Sequence, residues 1–207
     1  MTKQENKAPT PIQTAESTAV RSVVQKEEPS GAKGLLRDIL IMIPIVIIAV
    51  VLLKAFVFGT YEIPSGSMID TIEINDRVIS EKITYLTREP ERGEIITFKD
   101  PTQPDRTLIK RVIATGGETV SLTPDGHVTI NGEILDEPYT DGKESNPLSK
   151  TWKSISYPYT VPEDEVWVMG DNRTSSQDSR YFGSVPVSSI TGRAIITYWP
   201  LDRIGML

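Results

Sequence analysis

The sequence predicts a mainly antiparallel β domain carried behind a single N-terminal transmembrane helix. Three observations predict it: an unbroken apolar run at residues 39–58, a series of short β-branched runs after residue 59 divided by turn residues, and no helical-period stretch longer than about two turns among those runs. The 149 residues that follow the apolar run are enough for one core domain.

Residues 1–38 are rich in Thr, Gln, Glu, Ser and Pro and poor in large apolar groups, so they read as a disordered cytoplasmic tail that cannot offset its own ordering entropy. Residues 39–58, ILIMIPIVIIAVVLLKAFVF, would span about 30 Å as a helix, the thickness of a bilayer's hydrocarbon core. A secretory leader would have a shorter apolar stretch and a small-residue cleavage site, whereas this run ends in Phe56-Val57-Phe58-Gly59, so it reads as an uncleaved anchor. Lys54 lies near its end, where the ammonium reaches the interface. Arg21, Lys26, Lys33 and Arg37 precede the run and only Arg77 lies within 20 residues after it, which puts the tail in the cytoplasm and residues 59–207 outside. Strands are expected at 60–63, 76–82, 94–99, 107–114, 118–122, 127–130, 165–169 and 193–199, with turns at Arg92-Gly93, Pro124-Asp125-Gly126, Asn131-Gly132 and Asp141-Gly142. Residues 136–164, with four prolines, are too long for a tight connection and read as an irregular insertion.

Composition excludes several chemistries. The chain has no cysteine, so disulfide scaffolds, thiolate metal sites and a cysteine nucleophile are out. Residues 59–207 carry 15 Lys+Arg against 23 Asp+Glu, a net of −8, which argues against a nucleic acid partner. The single histidine, His127, follows a turn at the start of a hairpin strand, where a surface polar residue is ordinary and nothing nearby would hold it as a base. No G-x-S-x-G elbow, H-E-x-x-H pair or phosphate-cradling glycine loop occurs, and no metal or cofactor is expected.

What remains is Ile63-Pro64-Ser65-Gly66-Ser67-Met68, a few residues after the apolar run. Two serines flank a glycine after a proline, a turn that can expose one hydroxyl and leave a backbone N–H free as an oxyanion donor; the same residues also make a plain loop. A serine nucleophile without histidine needs another base, and neutral lysine is the substitute. Of eleven lysines, Lys110 ranks first, because on a strand Leu108, Lys110 and Val112 share one face and the amine sits between apolar neighbours that desolvate its charged form. Lys82 and Lys99 also occupy strand positions, where lysines usually face solvent. The segment from Gly170 to Arg180, GDNRTSSQDSR, reads either as a polar shell that orients a base or as a solvated turn.

In this order, behind one apolar helix, IPSGSM, IKRVI and GDNRTSSQDSR resemble the bacterial type I signal peptidases. Asn75-Asp76-Arg77-Val78 and Arg92-Gly93-Glu94-Ile95 fall where that family has GDxV-like and RGD-like boxes. The resemblance implies a membrane-anchored Ser/Lys endopeptidase on the outer surface of the cell membrane. It would cleave signal peptides from exported preproteins after small residues (Ala-X-Ala), with preproteins and the lipid bilayer as partners. It implies that Ser67 is the nucleophile and Lys110 the general base, that the Ser65 hydroxyl joins the Ser67 N–H in the oxyanion hole, and that Ser176 orients the lysine amine. Arg111, Asp171, Asp178 and Arg180 would brace the site by ion pairs, and Tyr61, Ile63, Met68, Ile72, Leu108 and Ile109 would line the pockets for the substrate's −1 and −3 residues. The sequence departs from the family at Asp70, often proline, Asn75, often glycine, Leu108, often tyrosine, and Gly116-Gly117-Glu118, often Pro-Gly-Asp. Two competing readings are a self-cleaving repressor-type protease, which would carry a DNA-binding helix pair in place of the apolar run, and an inactive tethered β module, which loss of Ser67 or Lys110 would favour.

Overall fold

A computed structural model describes residues 31–207; residues 1–30, and with them most of the expected disordered tail, lie outside the described residues. Helix α1 runs from Ala32 to Phe56. It therefore starts seven residues before the apolar run and takes in residues 32–38, which the sequence reading had left in the tail. Hydropathy marks where a helix is apolar, whereas backbone hydrogen bonding continues through polar helix formers such as Arg37. The far end is also corrected, since Phe58 already opens the first strand. Residues Gly34–Lys54 have a mean hydropathy of 2.7 and are exposed, which makes this the one helix among the described residues long and apolar enough to cross a membrane.

Beyond α1 the chain is almost wholly β. The strands are β1 (Phe58–Glu62), β2 (Arg77–Glu81), β3 (Ile95–Lys99), β4 (Thr107–Ala114), β5 (Thr119–Leu122), β6 (Val128–Ile130), β7 (Glu133–Ile134), β8 (Tyr159–Thr160), β9 (Glu165–Met169), β10 (Val185–Pro186), β11 (Ile190–Trp199) and β12 (Gly205–Met206). One short helix, α2 (Ser179–Phe182), follows β9. Every pairing is antiparallel. The larger sheet runs β1-β2-β11-β3-β4-β9-β10, with β12 added to β11, and the smaller runs β7-β6-β5-β8. The eight expected strands are all present; the four unexpected ones are two-residue pairings too short to leave a periodic signal. One of these, β8, corrects the reading of residues 136–164 as wholly irregular, because Tyr159 and Thr160 return to pair with β5.

Three apolar clusters hold the sheets. Ile113, Ala114, Trp167 and Met169 of the larger sheet pack with Val120, Val128 and Ile130 of the smaller. Ile96, Phe98, Val112, Val166, Val168, Phe182 and Val185 form the second, and Ile63, Met68, Ile72, Val78, Ile95 and Ala194 the third. Strand β4 feeds all three, because successive side chains point to opposite faces of a sheet. Leu108 and Val112 go to the second cluster, Ile109 to the third and Ile113 to the first.

Trp167 joins the two sheets, fully buried and in edge and tilted contact with Tyr157 and Tyr159 at centroid distances of 6.1 and 4.8 Å. Trp167→Ala should cost about 3–5 kcal/mol, the range for emptying a buried aromatic site, and Trp167→Phe clearly less. Denaturant unfolding of the detergent-solubilised chain checks this; equal stability of Trp167→Ala and the parent would mean that the sheets are held elsewhere.

Candidate active site

Ser67 sits in the loop between β1 and β2. That loop is closed at its base by Ile63 N–H donating to Asp76 O at 2.9 Å and Asn75 N–H donating to Ile63 O at 2.8 Å. Asn75 has φ +71°, the left-handed region where glycine is easiest and asparagine is tolerated, so asparagine can stand where the family often has glycine. Asp76 anchors the same base, accepting from Glu73 N–H and from the Arg203 guanidinium at 3.0–3.2 Å. Asp70 is held by Lys143 at 2.5 Å, an ion pair that a proline at this position could not make.

The residues after β9 grip this loop from the other side. Asn172 donates its backbone N–H to Ser67 O at 3.2 Å and its side-chain amide to Gly66 O at 2.8 Å. Asp171 accepts the Thr71 hydroxyl at 2.5 Å and both Arg111 Nε and Nη2, at 2.9 and 2.6 Å. One buried carboxylate thus ties the serine loop to β4, the strand that carries Lys110. The Arg111 guanidinium lies over the Tyr139 ring at 4.1 Å.

Lys110 faces Ser67 across a cavity of about 320 Å³. Its Nζ lies 2.7 Å from Ser67 Oγ and 2.8 Å from Ile109 O, and the side chain is only 3% exposed. Burial pulls its pKa from 10.5 down to about 8; the Arg106 charge adds to this, while Asp178, Asp171 and Asp100 oppose it. Asp178 is fully buried, which favours its neutral form. Arg180 at 2.9 Å and the Gly170 N–H at 3.1 Å outweigh burial and hold the carboxyl below its ordinary range. A neutral amine in hydrogen-bonding reach of a hydroxyl can accept its proton, so the pair has the geometry of a base and a nucleophile.

The structure brings some of the sequence candidates to this cavity and not others. Ile63, Ser65, Ser67, Leu108, Ile109 and Lys110 line it; Arg111, Asp171, Asp178 and Arg180 form two ion pairs behind it. Met68 and Ile72 are not cavity walls: both are fully buried in the third cluster, because the turn that exposes Ser67 sends the next side chain into the core. Tyr61 is half-buried on β1 and also off the cavity. Ser176, expected to orient the lysine amine, has no hydrogen bond to it among the described residues; it is buried nearby against Gly170. His127 immediately precedes β6 of the smaller sheet and lines a different cavity from Ser67. Asn172 and Gln177 fall within the GDNRTSSQDSR segment without a role of their own, and Thr71, Tyr139 and Arg106 were not singled out, since each reaches the site from a loop or turn whose path has no periodic signature.

With this geometry in place, the comparisons decide the family. The model for "Signal peptidase, peptidase S26" matches residues 36–199. The chain belongs to this family. It is 38% identical over 194 residues to a probable signal peptidase I-2 of Synechocystis, covering 91% of this chain and 84% of the relative. It is 42% identical over 163 residues to the signal peptidase I of Leptolyngbya laminosa, with 75% of each chain covered. A crystal structure of a signal peptidase I from Enterococcus faecalis, 36% identical, overlaps 51% of this chain and 97% of its own with a TM-score of 0.42. The chain is therefore a peptidase of the signal peptidase type, and its N-terminal helix is consistent with a membrane anchor.

Gly170 sets how closely the family's third motif approaches the serine. A Cβ there would fall 2.3 Å from Ser67 O and 2.4 Å from Ser176 Oγ, closer than real contacts allow. Gly170→Ala should therefore push the serine loop away from Lys110 and reduce kcat/KM about a hundredfold, as misplacements on the order of 1 Å do. Full cleavage activity of the purified variant would show that the close approach is dispensable.

Proposed function

We propose that this signal peptidase uses Ser67 as nucleophile and Lys110 as general base to cleave signal peptides after small residues, of the Ala-X-Ala type, on the outer surface of the membrane. The observation that carries the reading is the 2.7 Å approach of a buried lysine amine to the Ser67 hydroxyl. The neutral amine takes the hydroxyl proton as Oγ attacks the scissile carbonyl, the Ser67 N–H and the Ser65 hydroxyl hold the oxyanion, and the protonated amine gives its proton to the leaving amine. Water then releases the ester, with Lys110 again as base. The two ion pairs Arg111–Asp171 and Arg180–Asp178 keep strand and loop in register.

The substrate has a place to lie. Strand β9 pairs with β4 only from Arg111 to Ala114, so one edge of Thr107–Lys110 is free where it borders the cavity. An extended peptide can hydrogen-bond along such an edge. The cavity walls Ile63, Leu108 and Ile109 leave shallow apolar space, which selects small side chains by overlap with large ones.

The central test is incubation of the detergent-solubilised chain with a synthetic preprotein whose signal ends in Ala-X-Ala, followed by sequencing of the new N-terminus. Activity needs the uncharged amine and Lys110 titrates at about 8, so kcat/KM should rise about tenfold per pH unit below 8 and level off above it. Lys110→Arg should be as inactive as Lys110→Ala, because a guanidinium stays protonated. A flat profile through pH 7–9, or an active Lys110→Arg, would remove lysine from the role of base.

The Lys/Arg imbalance around α1 supports an orientation with the tail in the cytoplasm and the β domain outside. Protease added to intact spheroplasts should digest the domain and spare the tail; the opposite pattern would reverse the orientation.

A further inference from the structure

The cavity that holds Ser67 carries an unusual charge for this chain. Residues 59–207 have a net charge of −8, yet no acidic side chain lines this cavity, and its two charged lining groups are Lys110 and Arg106. Arg106 stands at the entrance to β4, four residues before Lys110, at the head of the free edge Thr107–Lys110.

The β3–β4 loop is built to hold that guanidinium in place. Asp100, 1% exposed, accepts Arg106 Nε at 2.8 Å and Nη2 at 2.6 Å. Its other oxygen accepts the backbone N–H and hydroxyl of Thr102, at 2.8 and 2.7 Å. The loop closes on itself through Asp100 N–H to Arg106 O at 3.0 Å and Arg106 N–H to Gln103 O at 2.9 Å. Asp100 uses one edge of the fork, Nη1 has no hydrogen bond among the described residues, and the side chain is half exposed. Arg106 lines the cavity and Asp100 does not, so the positive end of the pair is turned toward it.

We propose that Arg106 is a specificity-determining residue, whose free guanidinium edge favours substrates with a carboxylate side chain at one position along the groove and disfavours those with a cationic one there. This rests on the reading that peptide lies along Thr107–Lys110 beside Ser67. Four residues of extended chain span about 13 Å, so the selected side chain is about four residues from the scissile bond. A guanidinium held by a buried carboxylate keeps its geometry without a substrate, and its remaining N–H groups suit a carboxylate. The discrimination has the size of an exposed ion pair, about fivefold between acidic and basic side chains, because the site is open to water.

The test uses the full-length chain in detergent and synthetic preprotein peptides ending their signal in Ala-X-Ala. Each peptide has a single Glu, Gln or Lys at one position three to five residues from the cleavage point, on either side. At low ionic strength kcat/KM should fall in the order Glu, Gln, Lys at one of these positions, with Glu about fivefold over Lys. The ratio should drop below about twofold in 1 M salt and in Arg106→Gln, and persist in Arg106→Lys. Arg106→Gln leaves a buried carboxylate without its cation, so if it fails to fold, Arg106→Gln combined with Asp100→Asn replaces it. No charge ordering at any position in the parent chain, or an ordering unchanged in the folded variant, would overturn the proposal. The failure of the catalytic reading would look different: Ser67→Ala would then cleave the Gln peptides as fast as the parent chain does.

Discussion

Lys110 is useful as a base only while its ammonium form is denied water, and much of the domain is arranged around that requirement. A lysine on a strand ordinarily extends into solvent. Here the face it shares with Leu108 and Val112 is closed by the second apolar cluster, and the cavity side is closed by the serine loop. Desolvation is the largest influence on the amine and lowers its pKa to about 8. The apolar clusters therefore do two things: they hold the sheets together, and they set the protonation state of the one group on which the chemistry depends.

The same site needs polar side chains to fix the serine loop, and these work against the lysine. Asp171 and Asp178 both favour the charged amine. The structure limits this by giving each carboxylate its own arginine, Arg111 at 2.6 Å and Arg180 at 2.9 Å. A paired carboxylate still accepts the Thr71 hydroxyl and the Gly170 N–H, so it positions backbone while its own charge is balanced by a neighbouring guanidinium. Arg106 and Asp100 repeat the device with the positive end turned inward, which adds to the lowering. Buried ion pairs contribute little to net stability, and their presence here fits a role in geometry and protonation.

Much of this was legible in the sequence, for identifiable reasons. The eight longer strands carry β-branched alternation bounded by Gly, Asn, Asp and Pro turns, and the period of two placed Lys110 among apolar neighbours without knowledge of the third dimension. What was hidden depends on contacts distant in the chain. Met68 and Ile72 sit in a motif that faces the substrate side, but the turn at Ser67 sends them inward. Ser176 follows Gly170 by six residues, yet the loop path that lays it against Gly170, with no hydrogen bond to Lys110 among the described residues, is not written in that spacing. Arg106 looks like an ordinary loop arginine until Asp100 is seen to hold it against the cavity. The start of α1 was missed because hydropathy and helicity are different properties of one segment.

The segment that follows β7 of the smaller sheet supplies no reacting group but holds residues of the site in place. The turn at Pro138–Thr140 lays Tyr139 between two guanidinium groups, 4.1 Å from Arg111 and 5.8 Å from Arg173. Beside it Glu137 grips Arg173 through two hydrogen bonds of 2.6 and 2.9 Å, and Arg173 in turn donates to Gly170 O at 2.9 Å. Gly170 is the point of closest approach to Ser67, and Arg111 is the partner that cancels Asp171. One aromatic ring and one carboxylate thus bear on the arginines that hold both contacts. An ion pair screened by water loses its directional hold, and a loop with solvent behind it is free to move. Residues 136–164 read as an irregular excursion in the sequence because the contacts of Glu137 and Tyr139 are made to residues distant in the chain and leave no motif.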